Sequence, residues 1–464
     1  MRCVRATNGL LVLSAIVAAP LPAQDIEGDW GGSISIIGQT LPFVVHFSQS
    51  GDTLRATIDI QGVSDLPLQN VSYQPPTVRF ELLAGAGLAV WEGDQSGDSI
   101  AGTFAQAGYT GRFTMSRRAP TPPDTTSVPY RQEDVYFTNG DVRLAGTLTV
   151  PEADGPFPAV VMITGSGPQN RDEQLFPDYK PFRVIADHLT RHGIAVLRYD
   201  DRGVGGSTGN VMTSTSADFA QDVLAAVDWL AARPEIDARH IGTIGHSEGG
   251  IVGPLAASQS DKIAFVVLLA GPALTGEEIL YLQGEAIIRA GGGSDEDVAL
   301  QRALQEQMFR AIRTDEGWDS VRALLRQQIE QSMADIPEEQ RAELPNQEDL
   351  ATQRIAAAVQ NVQTPWFRFF IDYDPLPTLT RLRIPILAIF GEHDLQVPAQ
   401  INYDVMGDAL AAAGHPDYTL RIIPGVNHLF VPSETGSPAE YATQDKTFPP
   451  EFLDLITEWI LART

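Results

Sequence analysis

The chain has 464 residues, 43% apolar and 20% charged, with 41 glycines and 32 prolines. It is too apolar for a disordered polymer and longer than one ordinary domain, so two domains or three are expected. With 59 Asp and Glu against 32 Lys and Arg, the formal charge is −27. A surface this acidic repels phosphate backbones and anionic lipid, which sets nucleic acid and membrane surfaces aside as partners.

At the start, Arg2 and Arg5 precede an apolar run from Leu10 to Ala19, followed by Pro20-Leu21-Pro22-Ala23. A basic start, a short apolar core and small residues describe a secretory signal peptide over 1–23, and the run is too short to span a bilayer comfortably. The expected product is exported, periplasmic or extracellular, with no membrane insertion. Cys3 is the one cysteine and lies ahead of the apolar run, so the processed chain is expected to have no disulfide, thiol nucleophile or cysteine metal site.

Residues 25–118 have period two. Phe43, Val45 and Phe47 alternate with polar neighbours, as do Leu54, Ala56, Ile58 and Ile60, then Val78-Phe80-Leu82 and Ile100-Phe104. Such runs, punctuated by Gly51-Asp52 and Gly97-Asp98, predict antiparallel hairpins in a small all-β barrel or sandwich. Residues 119–129 hold four prolines among Thr and Ser, the composition of a semi-rigid linker.

Beyond the linker the rhythm changes. Continuous apolar runs at 159–163, 194–198, 241–244, 265–269 and 386–390 alternate with amphipathic stretches. One of these covers 218–232, with Phe219, Val223, Ala226, Val227 and Leu230 on one face. This pattern predicts a parallel sheet covered on both sides by helices. About 274–372 breaks the alternation and predicts a helical insertion, either a lid over the sheet or a decoration on it.

Gly245-His246-Ser247-Glu248-Gly249 follows a predicted strand and precedes a helix beginning near Ile251, which is the context of a G-x-S-x-G nucleophile elbow. A serine hydroxyl needs a base, and the base needs an orienting acid. Of eight histidines, His428 lies just past the predicted strand 418–423, whereas His246 lies within the elbow and is expected to point elsewhere. Asp394 lies just past the strand 386–390, with Glu392 its rival as the acid. Both loops fall where open α/β sheets place their crevice. The candidate catalytic set is therefore Ser247, Asp394 and His428. The glycine-rich loop after 159–163 nominates the backbone N–H of Ser166, with that of Glu248, as oxyanion donors. Asp200, Asp201 and Arg202 are expected to tie loops together. With no HExxH, calcium-loop or P-loop pattern, no metal or other cofactor is expected.

These motifs, with the loops 165–168 and 198–209, resemble the α/β-hydrolase superfamily over about 130–464; the polar stretch 165–173 and the leading β-rich module are most similar to exported bacterial esterases and serine-aminopeptidase-like hydrolases. The resemblance implies the α/β-hydrolase fold: an eight-stranded, mostly parallel sheet with a helical cap inserted before the acid-bearing strand. The oxyanion loop here reads Thr164-Gly165 where many members have His-Gly. The expected reaction is hydrolysis of small carboxylic esters, short to medium in the acyl part, through an acyl-enzyme. One alternative is a serine aminopeptidase using Glu277, Glu278 or Glu285 to hold a substrate amine. The other is a non-catalytic binder of a glycan or partner.

Overall fold

The computed structural model describes residues 26–36, 39–50, 53–60, 63–84, 87–106, 109–118, 128–176, 179–334, 347–441 and 444–464. The expected signal peptide, the Gly51-Asp52 turn and residues 119–127 of the linker lie outside the described residues.

Nine strands form the first sheet: β1 Gly28–Ile36, β2 Gln39–Ser50, β3 Thr53–Ile60, β4 Val63–Pro67, β5 Gln69–Gln74, β6 Thr77–Ala84, β7 Gly87–Ser96, β8 Ser99–Gln106 and β9 Tyr109–Arg117. Their order is β4-β3-β2-β1-β9-β8-β7-β6-β5, with antiparallel neighbours. Between the edge strands β4 and β5 in the chain, Leu68 donates its N–H to the carbonyl of Ala56 on β3 at 3.0 Å, bringing β3 and β5 together and curling the sheet into a barrel. Alternation sends Trp30, Phe43, Phe80, Trp91, Phe104 and Phe113 inside. There Phe80 stacks on Trp91 at 5.3 Å and Phe104 meets Trp91 edge-on at 4.8 Å. The interior is filled by its own aromatics.

The second sheet comprises β10 Tyr130–Asn139, β11 Val142–Pro151, β12 Phe157–Ile163, β13 Ala195–Tyr199, β14 Ile236–His246, β15 Ile263–Leu269, β16 Ile386–Gly391 and β17 Tyr418–Ile423. Its order is β10-β11-β13-β12-β14-β15-β16-β17. β10 and β11 are antiparallel, and β12 to β17 run parallel. This is the expected α/β-hydrolase fold. The central strands are buried on both faces, hence their continuous apolar runs.

Helices α1 Pro181–Arg191, α2 Ser216–Ala231, α3 Gly249–Ala257, α10 Ala399–Ala412 and α11 Pro450–Leu461 flank this sheet. The insertion folds as α4 Gly276–Ala290, α5 Asp295–Thr314, α6 Trp318–Ala334, α7 Gln347–Val362, α8 Pro365–Asp372 and the single turn α9 Leu376–Leu379. Helix α2 starts at a capping box in which Thr215 and Asp218 bond reciprocally. The insertion has its own small core around Leu304, Val321, Ile355 and Val359. No helix among the described residues is long and apolar enough to cross a membrane. Because β12 to β17 are parallel, their C-terminal ends share one edge, and the loops leaving that edge build the site.

Candidate active site

Strand β14 ends at His246, and the chain turns at Ser247 into α3. Ser247 has φ +53°, a left-handed conformation that costs a non-glycine residue strain and lifts its side chain out of the turn. The flanking glycines allow the turn by their close approaches. A Cβ at Gly245 would lie 2.0 Å from the Gly249 carbonyl oxygen, and one at Gly249 would lie 2.3 Å from that of Ile163. Helix α3 therefore begins at Gly249, two residues earlier than its apolar pattern suggests. The Ser247 N–H donates to the Leu269 carbonyl at 2.8 Å, fixing the elbow to β15.

Asp394 lies in the turn after β16, its side chain buried. Its Oδ1 accepts the N–H groups of Gln396 at 2.8 Å and Val397 at 2.9 Å. Oδ2 meets His428 Nδ1 at 2.7 Å. With Nδ1–H given to the carboxylate, the neutral imidazole carries its lone pair on Nε2. Glu392 instead accepts the Gly425 N–H at 2.8 Å and its side chain is half exposed, so Asp394 is the acid that meets His428. The loop carrying His428 is pinned by Tyr179, whose hydroxyl donates to the Leu429 carbonyl at 2.8 Å, and by Asn427, which bonds Gln444 at 3.0 Å.

Ser247 and His428 open into one cavity of about 430 Å3. Ser166, Gln169 and Gln396 complete its polar end, and Leu175, Phe176, Leu429 and Pro438 form apolar wall. The oxyanion loop runs beside the elbow, since a Cβ at Gly165 would stand 3.5 Å from Ser247 Cβ. The Gly165 N–H is spent on Glu173 Oε1 at 2.8 Å. Among the described residues, no acceptor pairs with the backbone N–H of Ser166 or of Glu248, the two nominated donors.

The loops behind are tied by charge. Asp201 accepts from Thr164 Oγ1 and the Gln169 N–H, both at 2.8 Å. Asp200 holds Arg171, and Arg202 grips Asp222 through two nitrogens at 2.6 and 2.9 Å. Burial pushes the Asp201 carboxyl well above the usual range, against the opposing effect of its two donors. The Glu248 carboxyl is also raised by burial, against the opposing hydrogen bonds from Ser216 at 2.6 Å and Trp366 Nε1 at 2.7 Å. Trp366 belongs to α8, so the insertion touches the elbow through this bond.

Two predicted placements differ. His246 does not point away. Its ring packs 4.7 Å from that of His428, Nδ1 lies 2.9 Å from Glu173 Oε1, and Nε2 lies 3.0 Å from the His428 carbonyl oxygen. The left-handed turn at Ser247 leaves the preceding side chain facing the histidine loop. The carboxylates nominated to hold a substrate amine are each engaged elsewhere. Glu277 takes Tyr281 and Arg313, Glu278 caps α4 through Thr275, and Glu285 pairs with Arg289. Glu173, Gln169, Gln396 and Tyr441 escaped the sequence reading. The sole signal for Glu173 is its place at the end of the polar 165–173 stretch. Among the described residues, no cluster of three or more His, Asp or Glu side chains is arranged as a metal site.

Comparison with known proteins adds the family. The model of the X-Pro dipeptidyl-peptidase (S15) family matches residues 139–400. Esterase EstD of Thermotoga maritima is 27% identical over 340 residues, covering 73% of this chain and 70% of EstD. Esterase FrsA of Vibrio cholerae is 31% identical over 137 residues, covering 29% of this chain and 30% of FrsA. The solved esterase Pf2001 of Pyrococcus furiosus is 18% identical, with a TM-score of 0.44 over 75% of this chain and 95% of that one.

Proposed function

This chain belongs to the X-Pro dipeptidyl-peptidase (S15) family of hydrolases, and from that premise we propose that it cleaves small carboxylic esters through an acyl-enzyme on Ser247. His428 Nε2 takes the hydroxyl proton as Ser247 Oγ attacks the ester carbonyl, while Asp394 holds the imidazole and stabilises its cation. The N–H groups of Ser166 and Glu248 receive the oxyanion. The tetrahedral adduct expels the alcohol, which takes its proton from His428. A water deprotonated by the same nitrogen then releases the acid and frees Ser247.

The observation carrying this reading is the buried 2.7 Å contact of Asp394 with Nδ1 of His428, which lines one cavity with Ser247. The cavity's chemistry favours an ester over a substrate with a free amine. Its one carboxylate among the described lining residues, Glu173, is already matched to His246, so a buried ammonium would find no free counter-charge. The cavity volume, about 430 Å3, lies towards the lower end of the roughly 300–1,000 Å3 typical of small-molecule sites. The apolar recess beyond Leu175 and Leu429 leaves only about 10 Å3 between Phe182, Phe448 and Phe452, which supports a short to medium acyl group. The pattern over 1–23 supports an exported enzyme. The test is turnover of p-nitrophenyl acetate and butyrate against aminoacyl and X-Pro anilides. Esters should be preferred in kcat/KM by at least about 10²-fold, corresponding to roughly 2.7 kcal/mol. A preference for the anilides would replace this reading with the peptidase one.

A further inference from the structure

His246 is buried, and both ring nitrogens face acceptors: Glu173 Oε1 at 2.9 Å from Nδ1, and the His428 carbonyl oxygen at 3.0 Å from Nε2. Neither acceptor carries a hydrogen when Glu173 is ionised, so both contacts become hydrogen bonds only when both nitrogens hold protons. Burial works against that cation, but the charge and hydrogen bond of Glu173 outweigh it and raise His246 above its ordinary value. The same Glu173 oxygen accepts the N–H of Gly165. One carboxylate thereby holds the oxyanion loop, and through one imidazolium it holds the backbone of His428. Glu173 itself has φ +50°, a strained conformation that this double attachment offsets.

We propose that the Glu173–His246 ion pair is a positioning device for the reaction, fixing the base loop and the oxyanion loop relative to the elbow. The inference rests on Ser247 and His428 being the nucleophile and base. His246 is covalently next to Ser247, so a single residue ties the nucleophile's turn to the main chain of its base. Its ring lies 4.7 Å, between centroids, from that of His428. The other titratable groups facing this region are Asp394 from the β16 turn, Asp201 after β13, which burial pushes above the usual carboxyl range, Tyr441 from the C-terminal loop and Tyr179 ahead of α1. Burial raises both tyrosines far enough to keep them neutral through the working range.

His246→Gln in the full chain tests this, with Ser247→Ala beside it. The amide cannot donate to both acceptors at once and carries no charge. The expected result is a kcat lower by up to about 10²-fold, the scale of a small misplacement of reacting groups, with KM within about twofold. The acidic limb of kcat/KM should move to higher pH, because the pair's cation is gone and the Glu173 charge is left unmatched. The double variant Glu173→Gln/His246→Gln removes both charges. It should keep the lowered kcat and bring the limb back towards its original position, and it carries the test if the single variant fails to fold. Wild-type kcat in either variant, or a limb that stays in place in His246→Gln, overturns the inference. If Ser247→Ala keeps its activity, the proposed nucleophile itself is wrong.

Discussion

Asp394 and Glu392 stand two residues apart in one turn, both carboxylates beside histidines, yet they hold opposite positions. Asp394 is buried, with Oδ1 accepting two backbone N–H groups and Oδ2 facing His428. Glu392 is half exposed and bonds Gly425. The two N–H donors fix the Asp394 plane so that its second oxygen points at Nδ1, which selects the imidazole tautomer with Nε2 free. Asp394→Asn keeps the shape but offers an amide N–H to a nitrogen that must itself donate. It is expected to lower kcat by about 10⁴-fold with a smaller effect on KM, whereas Glu392→Gln should stay within about threefold. Steady-state kinetics on both variants would check the assignment, and the reverse order of effects would contradict it. At this scale the sequence nominated the three side chains because each sits at a recognisable place, just past a strand end. It concealed the Glu173–His246 pair because the partners of His246 lie 73 and 182 residues away, and no local pattern says where a ring beside a left-handed turn will settle.

At the scale of elements, legibility followed burial. Strands β12 and β14 to β16 carry largely unbroken apolar cores at the sheet centre and read clearly. Strand β11 is nearly as buried but includes Thr147 and Thr149, whose hydroxyls are satisfied by Asp134 at 2.9 Å and Thr190 at 2.7 Å. Buried threonines with distant partners look like a polar edge in sequence. The barrel holds a related case on β2. His46 presents Nδ1 to Asp29 at 2.8 Å and Nε2 to Asp59 at 3.2 Å. The Asp59 hydrogen bond overcomes the opposing effect of burial, and with Asp29 it raises the imidazole from 6.5 to about 9. Between those values the folded barrel holds a proton that the unfolded chain has released. The contribution is therefore complete below about pH 6.5 and disappears as pH rises through about 9. Chemical denaturation of the full chain with its other four tryptophans replaced by Phe, followed by Trp30 and Trp91 fluorescence, should show the barrel losing stability across that window. His46→Gln should flatten the loss; an unchanged pH dependence in that variant would contradict the ion-pair account.

For the whole molecule, a filled all-β barrel precedes an α/β-hydrolase sheet whose C-terminal edge gathers the loops after β12, β14, β16 and β17. The alternation of periods two and 3.6 marked this division, because antiparallel strands with one wet face and parallel strands with none leave different patterns. The helical insertion was visible as a break in rhythm, but its contact with the elbow, Trp366 on Glu248, was not, since a single tryptophan on an amphipathic helix reads as packing. The proposed chemistry turns on whether the hydroxyl of Ser247 is the activated nucleophile. Labelling the native chain with a fluorophosphonate and mapping the adduct by mass spectrometry asks this most directly. One adduct on Ser247, formed in step with loss of esterase activity and abolished in Ser247→Ala, is the predicted result. An adduct on another residue, or full esterase activity with Ser247 modified, would contradict it.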